Sequence, residues 1–167
     1  MELQLHPHYW TRSVPDWKAA AVAGLAAGAV LMVLDLCWPL ALDGSSPWAT
    51  PHKVAAIVMG QQALQSSAFD LGIVATALLI HYTLGIFSGL VIGIVIAGFH
   101  YETSLAMVQA IGAMFGVGIY LVNFYFLTAL FPWFATLRGW SGLLGHLLFG
   151  VSAAMIYWKL SRTPKNT

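Results

Sequence analysis

The chain has 167 residues, of which 59% are hydrophobic and only 8% are charged. Soluble globular domains carry roughly 25% charged residues, and a fold of this length cannot hide so much apolar surface from water, so the composition argues against a soluble domain. The formal net charge of +1 offers no basic surface to phosphate groups, and nucleic acid is not expected as a partner.

Four segments are apolar enough to cross a membrane, which takes about 20 predominantly apolar residues. In chain order, these predicted spans cover about residues 17–42, 71–99, 104–131 and 140–160. Only a short polar turn around His100 separates the second span from the third, which predicts a tight antiparallel hairpin. The sequence therefore predicts an all-α integral membrane protein: a four-helix membrane domain over residues 17–160, with short tails at 1–16 and 161–167.

A fifth apolar segment, about residues 51–64, is too short to span a bilayer. Pro51 suits the first turn of a helix, and an apolar stripe faces a polar side, which favours a helix lying in the membrane interface over the alternative, a re-entrant helix. The stripe consists of Val54, Ile57 and Val58. His52 and Lys53 are expected on the wet side of this interfacial helix.

The basic residues of the loops predict the orientation, because cytoplasmic loops of membrane proteins are enriched in lysine and arginine. With four spans, both tails and the central turn share one side. That side carries Arg12, Lys18, Lys159, Arg162 and Lys165, whereas the other carries Lys53 and Arg138. Both termini are therefore predicted to be cytoplasmic.

The two halves of the chain share a spacing of small and polar residues. The first span carries Gly24, Gly28 and Asp35, and the third carries Gly112, Gly116 and Asn123 at the same spacing. The second span carries His81, Gly85 and Gly89, and the fourth carries His146, Gly150 and Ala154, again at one spacing. Each half is thus a hairpin of one glycine-rich and one histidine-bearing helix, which predicts a parallel repeat. Small residues four apart let helix backbones approach closely, either within the chain or against another membrane protein.

One polar residue from each span falls at a similar depth. At about 1.5 Å per residue, all four lie roughly 9–15 Å below the predicted outer surface. The layer consists of Asp35, His81, Asn123 and His146. An aspartate at that depth should face the bundle and find a partner, so the simplest interpretation is that Asp35 and Asn123 hydrogen-bond the histidines. A proton or ion path, a haem held by the two histidines, and a metal held by the histidines and Asp35 are the functional alternatives.

Several of these motifs together resemble a family of small, uncharacterised bacterial inner-membrane proteins with four spans. They are the glycine-rich first helix from Gly24 to Asp35, the segment from Pro51 to Gly60, and the His-x3-Gly helices at His81 and His146. The resemblance implies the four-span architecture and a location in the bacterial inner membrane. It implies no activity.

No catalytic constellation is recognisable in the sequence, so a non-enzymatic role is expected. The leading hypothesis is an accessory subunit that packs laterally against other membrane proteins through its small-residue faces, without cofactor or metal. The alternatives are a small oligomeric transporter or channel that uses the polar layer, and a b-type haem protein with His81 and His146 as axial ligands.

Overall fold

The computed structural model describes residues 14–162, apart from the side chains of Asp43 and Glu102. It contains five α-helices in this range: α1 Trp17–Trp38, α2 Ala49–Met59, α3 Leu71–Gly98, α4 Leu105–Leu121 and α5 Trp140–Ser161. The remaining elements are short 3-10 and π-helical turns, and residues 14–162 include no β-strand. Arg12 and Lys165, which contribute to the predicted orientation, lie outside the described residues.

Four of the helices, with their helical extensions, are long and apolar enough to cross a membrane, as the sequence predicts. They cover Trp17–Leu42, Leu71–Gly98, Leu105–Ala129 and Trp140–Ser161. Side-chain oxygens begin three of them: Asp16 accepts from the amide of Ala19, Asp70 from that of Ile73 and Ser104 from that of Met107. These caps satisfy amide groups that a helix leaves free at its first turn.

Helices α1 and α5 form the centre of the bundle. Helix α3 packs along α1, α4 packs along α5, and α1 and α5 pack on each other. The predicted tight hairpin of the second and third spans is therefore wrong in its packing, because α3 and α4 share a short turn but make few contacts beyond it. Their small-residue faces are directed at α1 and α5 instead, where the closest approach is available.

Glycine lets the helix backbones touch in the α1–α3 pair and in the α4–α5 pair. Between α1 and α3, a Cβ on Gly24 would collide with the carbonyl oxygen of Gly85. Between α4 and α5, a Cβ on Gly112 would collide with the carbonyl of Gly150, and one on Gly116 with the carbonyl of His146. The predicted small-residue stripes are thus used inside the chain.

The bundle has a closely packed end and a looser end. We call the end with the starts of α1 and α4 the turn end, and the opposite end, which carries α2, the loop end. At the turn end, Ile92, Ile96, Val108 and Tyr157 are almost completely buried, and small side chains such as Ala20 fill the space between them. The apolar core is therefore concentrated in the turn-end half.

Two segments cover the loop end: α2, and the 3-10 segment Pro132–Leu137. The indole Nε1 of Trp133 donates a hydrogen bond to the carbonyl oxygen of Lys53 at 3.0 Å and joins the two. Aromatic packing of Tyr120 and Phe124 against Phe134 fixes the second segment on α4.

The face that α2 buries differs from the predicted stripe. Val58 is 66% exposed, whereas His52 is buried with Ala55 and Ala56. The ring nitrogens of His52 lie 2.6 Å and 2.8 Å from the carbonyl oxygens of Ala63 and Ala68. Small alanines allow close packing, and a neutral imidazole donates to one of the two carbonyls from its protonated ring nitrogen, so the expectation of a wet His52 is wrong.

Candidate functional site

A cavity of about 410 Å³ lies at the loop end of the bundle. Its walls come from α1, α3, α4 and α5, and from the two covering segments. The four residues of the predicted polar layer all line it: Asp35, His81, Asn123 and His146. We call it the loop-end cavity. The structure thus brings these four side chains together around one space.

Asn123 and His146 form the expected amide–imidazole contact. The Nδ2 of Asn123 lies 3.2 Å from Nε2 of His146, and Nδ1 of His146 lies 2.8 Å from the carbonyl oxygen of Gly142. A carbonyl can only accept, so Nδ1 carries the proton and Nε2 of the neutral ring accepts from the amide. Asn123 itself lies in the π-helical turn Val122–Phe126, a distortion that is frequent at functional sites.

His81 makes a different contact from the one expected. Its Nε2 lies 2.8 Å from the carbonyl oxygen of Gly28 on α1 and donates to it. Gly28 precedes Asp35 by about two helical turns, or roughly 10 Å, so the ring is held towards the turn end. The expected hydrogen bond between Asp35 and an imidazole is not formed among residues 14–162.

Asp35 is the residue of the polar layer whose side chain has no hydrogen-bond or ion-pair partner in the described structure. Its carboxylate makes no hydrogen bond and no ion pair with any residue in the range 14–162. Besides the loop-end cavity it lines a second space of about 40 Å³ between α1, α2 and α3. Pro39 follows four residues later and has no amide hydrogen for the Asp35 carbonyl. In a helix that crosses a membrane, a carboxylate without a partner is a candidate functional residue.

Lys53 was predicted on a wet surface, but it lines the loop-end cavity. Burial lowers the pKa of its amine below the ordinary 10.5. Within the described part of the chain, Nζ has no hydrogen-bond or ion-pair partner. Sequence reasoning missed this residue because the rotation of α2 depends on the burial of His52, which the apolar stripe does not reveal.

Arg138 also lines the cavity, but its guanidinium is already bound. Its Nε donates to the carbonyl oxygen of Phe124 at 2.5 Å, and an Nη donates to the hydroxyl of Thr128 at 3.1 Å. The guanidinium carbon also lies 4.6 Å from the ring centre of Tyr125. This exposed arginine therefore fixes the end of α4 and is not a free loop charge.

Trp38 contributes a third unpartnered group at the cavity wall. Its indole Nε1 is buried and has no hydrogen-bond partner in the described structure, while its ring packs edge-on against Trp140 at 5.5 Å. A buried donor without an acceptor costs about 1–3 kcal/mol.

The two histidines predicted as axial haem ligands are held by hydrogen bonds within the chain. Both ring nitrogens of His146 are engaged, and Nε2 of His81 is directed at Gly28. Axial ligation by His146 would require one of its hydrogen bonds to break, and the haem alternative stays a prediction. Within residues 14–162, no three His, Cys, Asp or Glu side chains cluster in a way that could hold a metal ion.

No protein-family model matches the chain, and comparisons with curated proteins and with solved structures gave no significant match. The resemblance to small four-span bacterial proteins gains no support from them. The functional argument therefore depends on the chemistry of the loop-end cavity.

Proposed function

We propose that this chain is a multi-pass integral membrane protein of the bacterial inner membrane and that it is a small transporter whose solute site is the loop-end cavity. The observation that carries the proposal is the unpartnered carboxylate of Asp35 at the wall of a cavity that all four apolar helices share. Polar side chains are costly inside a bilayer and mark substrate or ion pathways.

The packing of the two ends favours a carrier over an open channel. The cavity reaches Ser88 and Phe149, and beyond them the close contacts of Gly89 with Ala20 and of Gly150 with Gly112, together with the buried Ile92, close the bundle. A solute would enter from the loop end and leave only after the turn end opens. This one-sided access is typical of transporters that alternate between two states.

The moving parts of such a carrier would be the pair α1–α3 and the pair α4–α5. Matching residues make the contacts within each pair: Gly24 meets Gly85, and Gly112 meets Gly150. We treat the pairs as two copies of a parallel repeat, because membrane transporters commonly alternate by rocking one repeat against another.

The basic residues support cytoplasmic termini in this proposal. Lys18, Lys159 and Arg162 lie near the turn end, at the start of α1 and the end of α5. Enrichment in lysine and arginine is a property of the cytoplasmic side, so the loop-end cavity would face outward.

The accessory-subunit hypothesis loses its main argument. It depended on small-residue faces that could pack against another membrane protein, and these faces are occupied by contacts within the chain. It stays a prediction, and so does assembly with further copies of the chain.

Transport is tested in proteoliposomes by counterflow of four labelled probes: methylamine, acetate, inorganic phosphate and glycine. We expect uptake of at least one probe, and its loss in Asp35→Asn. Gly118→Ala is the matched control, since a Cβ on Gly118 has nothing within 4 Å.

Water access is tested in the same vesicles with Ser141→Cys in a Cys37→Ala background, because Ser141 lines the cavity. We expect a membrane-impermeant thiol reagent to label it from one side only. If no probe is taken up and the thiol is unreactive from both sides, the transporter proposal is wrong. Labelling from both sides would identify a channel.

A further inference from the structure

Asp35 and Lys53 are opposite charges that line the same cavity without meeting. Asp35 comes from α1 and Lys53 from α2. They form no ion pair with each other, and neither side chain is paired elsewhere in residues 14–162. Charges that are partly removed from water require a compensating partner. The cavity therefore has one carboxylate that can bind a cationic group and one amine that can bind an anionic group.

The other charged and titratable groups of the cavity do not fill these positions. The Arg138 guanidinium is bound to Phe124 and Thr128. The imidazole of His81 is bound to Gly28, and that of His146 to Asn123 and Gly142. A ligand with a single charge would satisfy Asp35 or Lys53 but leave the other unpaired.

The size and lining of the cavity suit a small polar molecule. A volume of about 410 Å³ falls in the range of roughly 300–1,000 Å³ that is usual for small-molecule sites. The wall also contributes hydroxyl groups of Thr50, Ser88 and Ser141, which can donate to or accept from a bound solute. Apolar side chains such as Leu34 and Phe149 complete it.

We propose that the loop-end cavity binds a small zwitterion, with its ammonium group at the Asp35 carboxylate and its carboxylate or phosphate group at the Lys53 amine. This inference rests on the proposed function, because it names the solute class of the same cavity. Free amino acids and the head group of phosphatidylethanolamine share this chemistry. The experiment therefore includes a soluble and a membrane source.

Binding is measured by calorimetry on the full chain in detergent, with four probes. L-alanine and glycerophosphoethanolamine are the zwitterions, and ethylamine and propionate carry one charge each. We expect the zwitterions to bind at least about tenfold more tightly than either singly charged probe, since each charge-assisted contact contributes about ten- to a hundredfold in affinity.

The variants assign each charge to its contact. Lys53→Gln should weaken zwitterion binding about ten- to a hundredfold and leave ethylamine unchanged; Asp35→Asn should weaken it similarly and leave propionate unchanged. Lys18→Gln is the control, since Lys18 is an exposed lysine outside the cavity. The ranking of probes on the wild-type chain does not depend on whether a variant folds.

Binding of the phosphatidylethanolamine head group is tested by the thermal stability of the chain in nanodiscs of phosphatidylethanolamine or phosphatidylglycerol. If the head group is the ligand, the phosphatidylethanolamine discs stabilise the wild-type chain but not Lys53→Gln, and added alanine has no effect. The zwitterion proposal is overturned if propionate or ethylamine binds as tightly as the better-bound zwitterion, or if neither source responds to the two substitutions. Uptake of a singly charged probe in proteoliposomes would then still support the transporter.

Discussion

The imidazole of His81 donates a hydrogen bond to the carbonyl oxygen of Gly28, 53 residues earlier in the chain, over 2.8 Å. The bond joins α3 to α1 about two helical turns from Asp35 towards the turn end, in the wall of the loop-end cavity that His81 lines. It thereby fixes how the histidine-bearing helix is placed against the glycine-rich one, and it keeps the imidazole away from the carboxylate.

Replacing His81 with phenylalanine removes this hydrogen bond while keeping a ring of similar shape. Hydrogen bonds between membrane helices contribute about 0.6 kcal/mol on average and at most about 1.7 kcal/mol, so we expect a loss of that order. Unfolding with increasing mole fraction of SDS in mixed micelles measures it. An unchanged free energy of unfolding would mean that the carbonyl contact contributes nothing to stability.

Gly24→Ala should destabilise the α1–α3 pair, because the added Cβ would overlap the carbonyl oxygen of Gly85. Overpacking of this kind costs about 1–3 kcal/mol. Gly112→Ala should have the same effect on the α4–α5 pair, where the clash is with Gly150. Thermal unfolding in detergent compares both with Gly118→Ala.

A Cβ on Gly118 meets nothing within 4 Å, and alanine is the better helix former by about 0.5–1 kcal/mol. The control should therefore be neutral or slightly more stable. Equal effects at all three positions would contradict the close approach of the helix pairs.

Replacing each of two loop-end tryptophans, Trp38 and Trp133, with phenylalanine should change the stability of the protein in opposite directions. Trp38→Phe removes a buried indole donor that has no acceptor in the described structure, so stability should stay the same or rise by up to about 1–3 kcal/mol. Trp133→Phe instead breaks the bond to the Lys53 carbonyl and should cost about 0.5–1.5 kcal/mol. Thermal unfolding of the two variants side by side checks the contrast, and a larger loss for Trp38→Phe would contradict it.

Lys53 should make stability depend on pH on the alkaline side. Burial lowers the pKa of its amine below 10.5 in the folded state. Between that lowered pKa and 10.5, the unfolded chain binds more protons than the folded one, so the free energy of unfolding should rise with pH. Below this window, the folded state carries the full desolvation cost of the charged amine.

Acetylation followed by mass spectrometry measures the effect directly. The pH at which Lys53 becomes half reactive should be lower in the folded chain than in the denatured chain, and Lys53→Gln should lose the alkaline rise in stability. A midpoint that is the same or higher when the chain is folded would contradict the burial of this amine. A bound zwitterion should move the midpoint back upwards, because an anion beside the amine favours its charged form.

The four spans could be predicted because length and apolar composition are local properties of the chain. The polar layer could be predicted because residue counting gives depth along a helix. That the four side chains share one cavity required the structure, since counting gives no rotation about the helix axis.

The sequence predicted the partner of α3 in two conflicting ways, because the hairpin of a glycine-rich and a histidine-bearing helix in each half favoured α1. Small-residue spacing indicates close packing but does not identify the neighbour, and the short turn at His100 suggested α4 as the neighbour of α3. The contact of Gly24 with Gly85 places α3 on α1 instead. Similarly, an imidazole was the expected partner of Asp35, but the imidazole of His81 donates to the carbonyl oxygen of Gly28 instead.

Helix α5 is the last described helix in the chain, yet it packs on both α1 and α4. If the chain is inserted into a membrane as proposed, the faces of α1 and α4 that α5 later covers are exposed to lipid or to the insertion machinery until α5 arrives. A ribosome stalled after Arg138 would therefore leave the glycine surface of α4 and the α5-facing side of α1 open to any membrane quality-control protease. The half-life of the nascent chain should increase sharply once α5 has entered the bilayer.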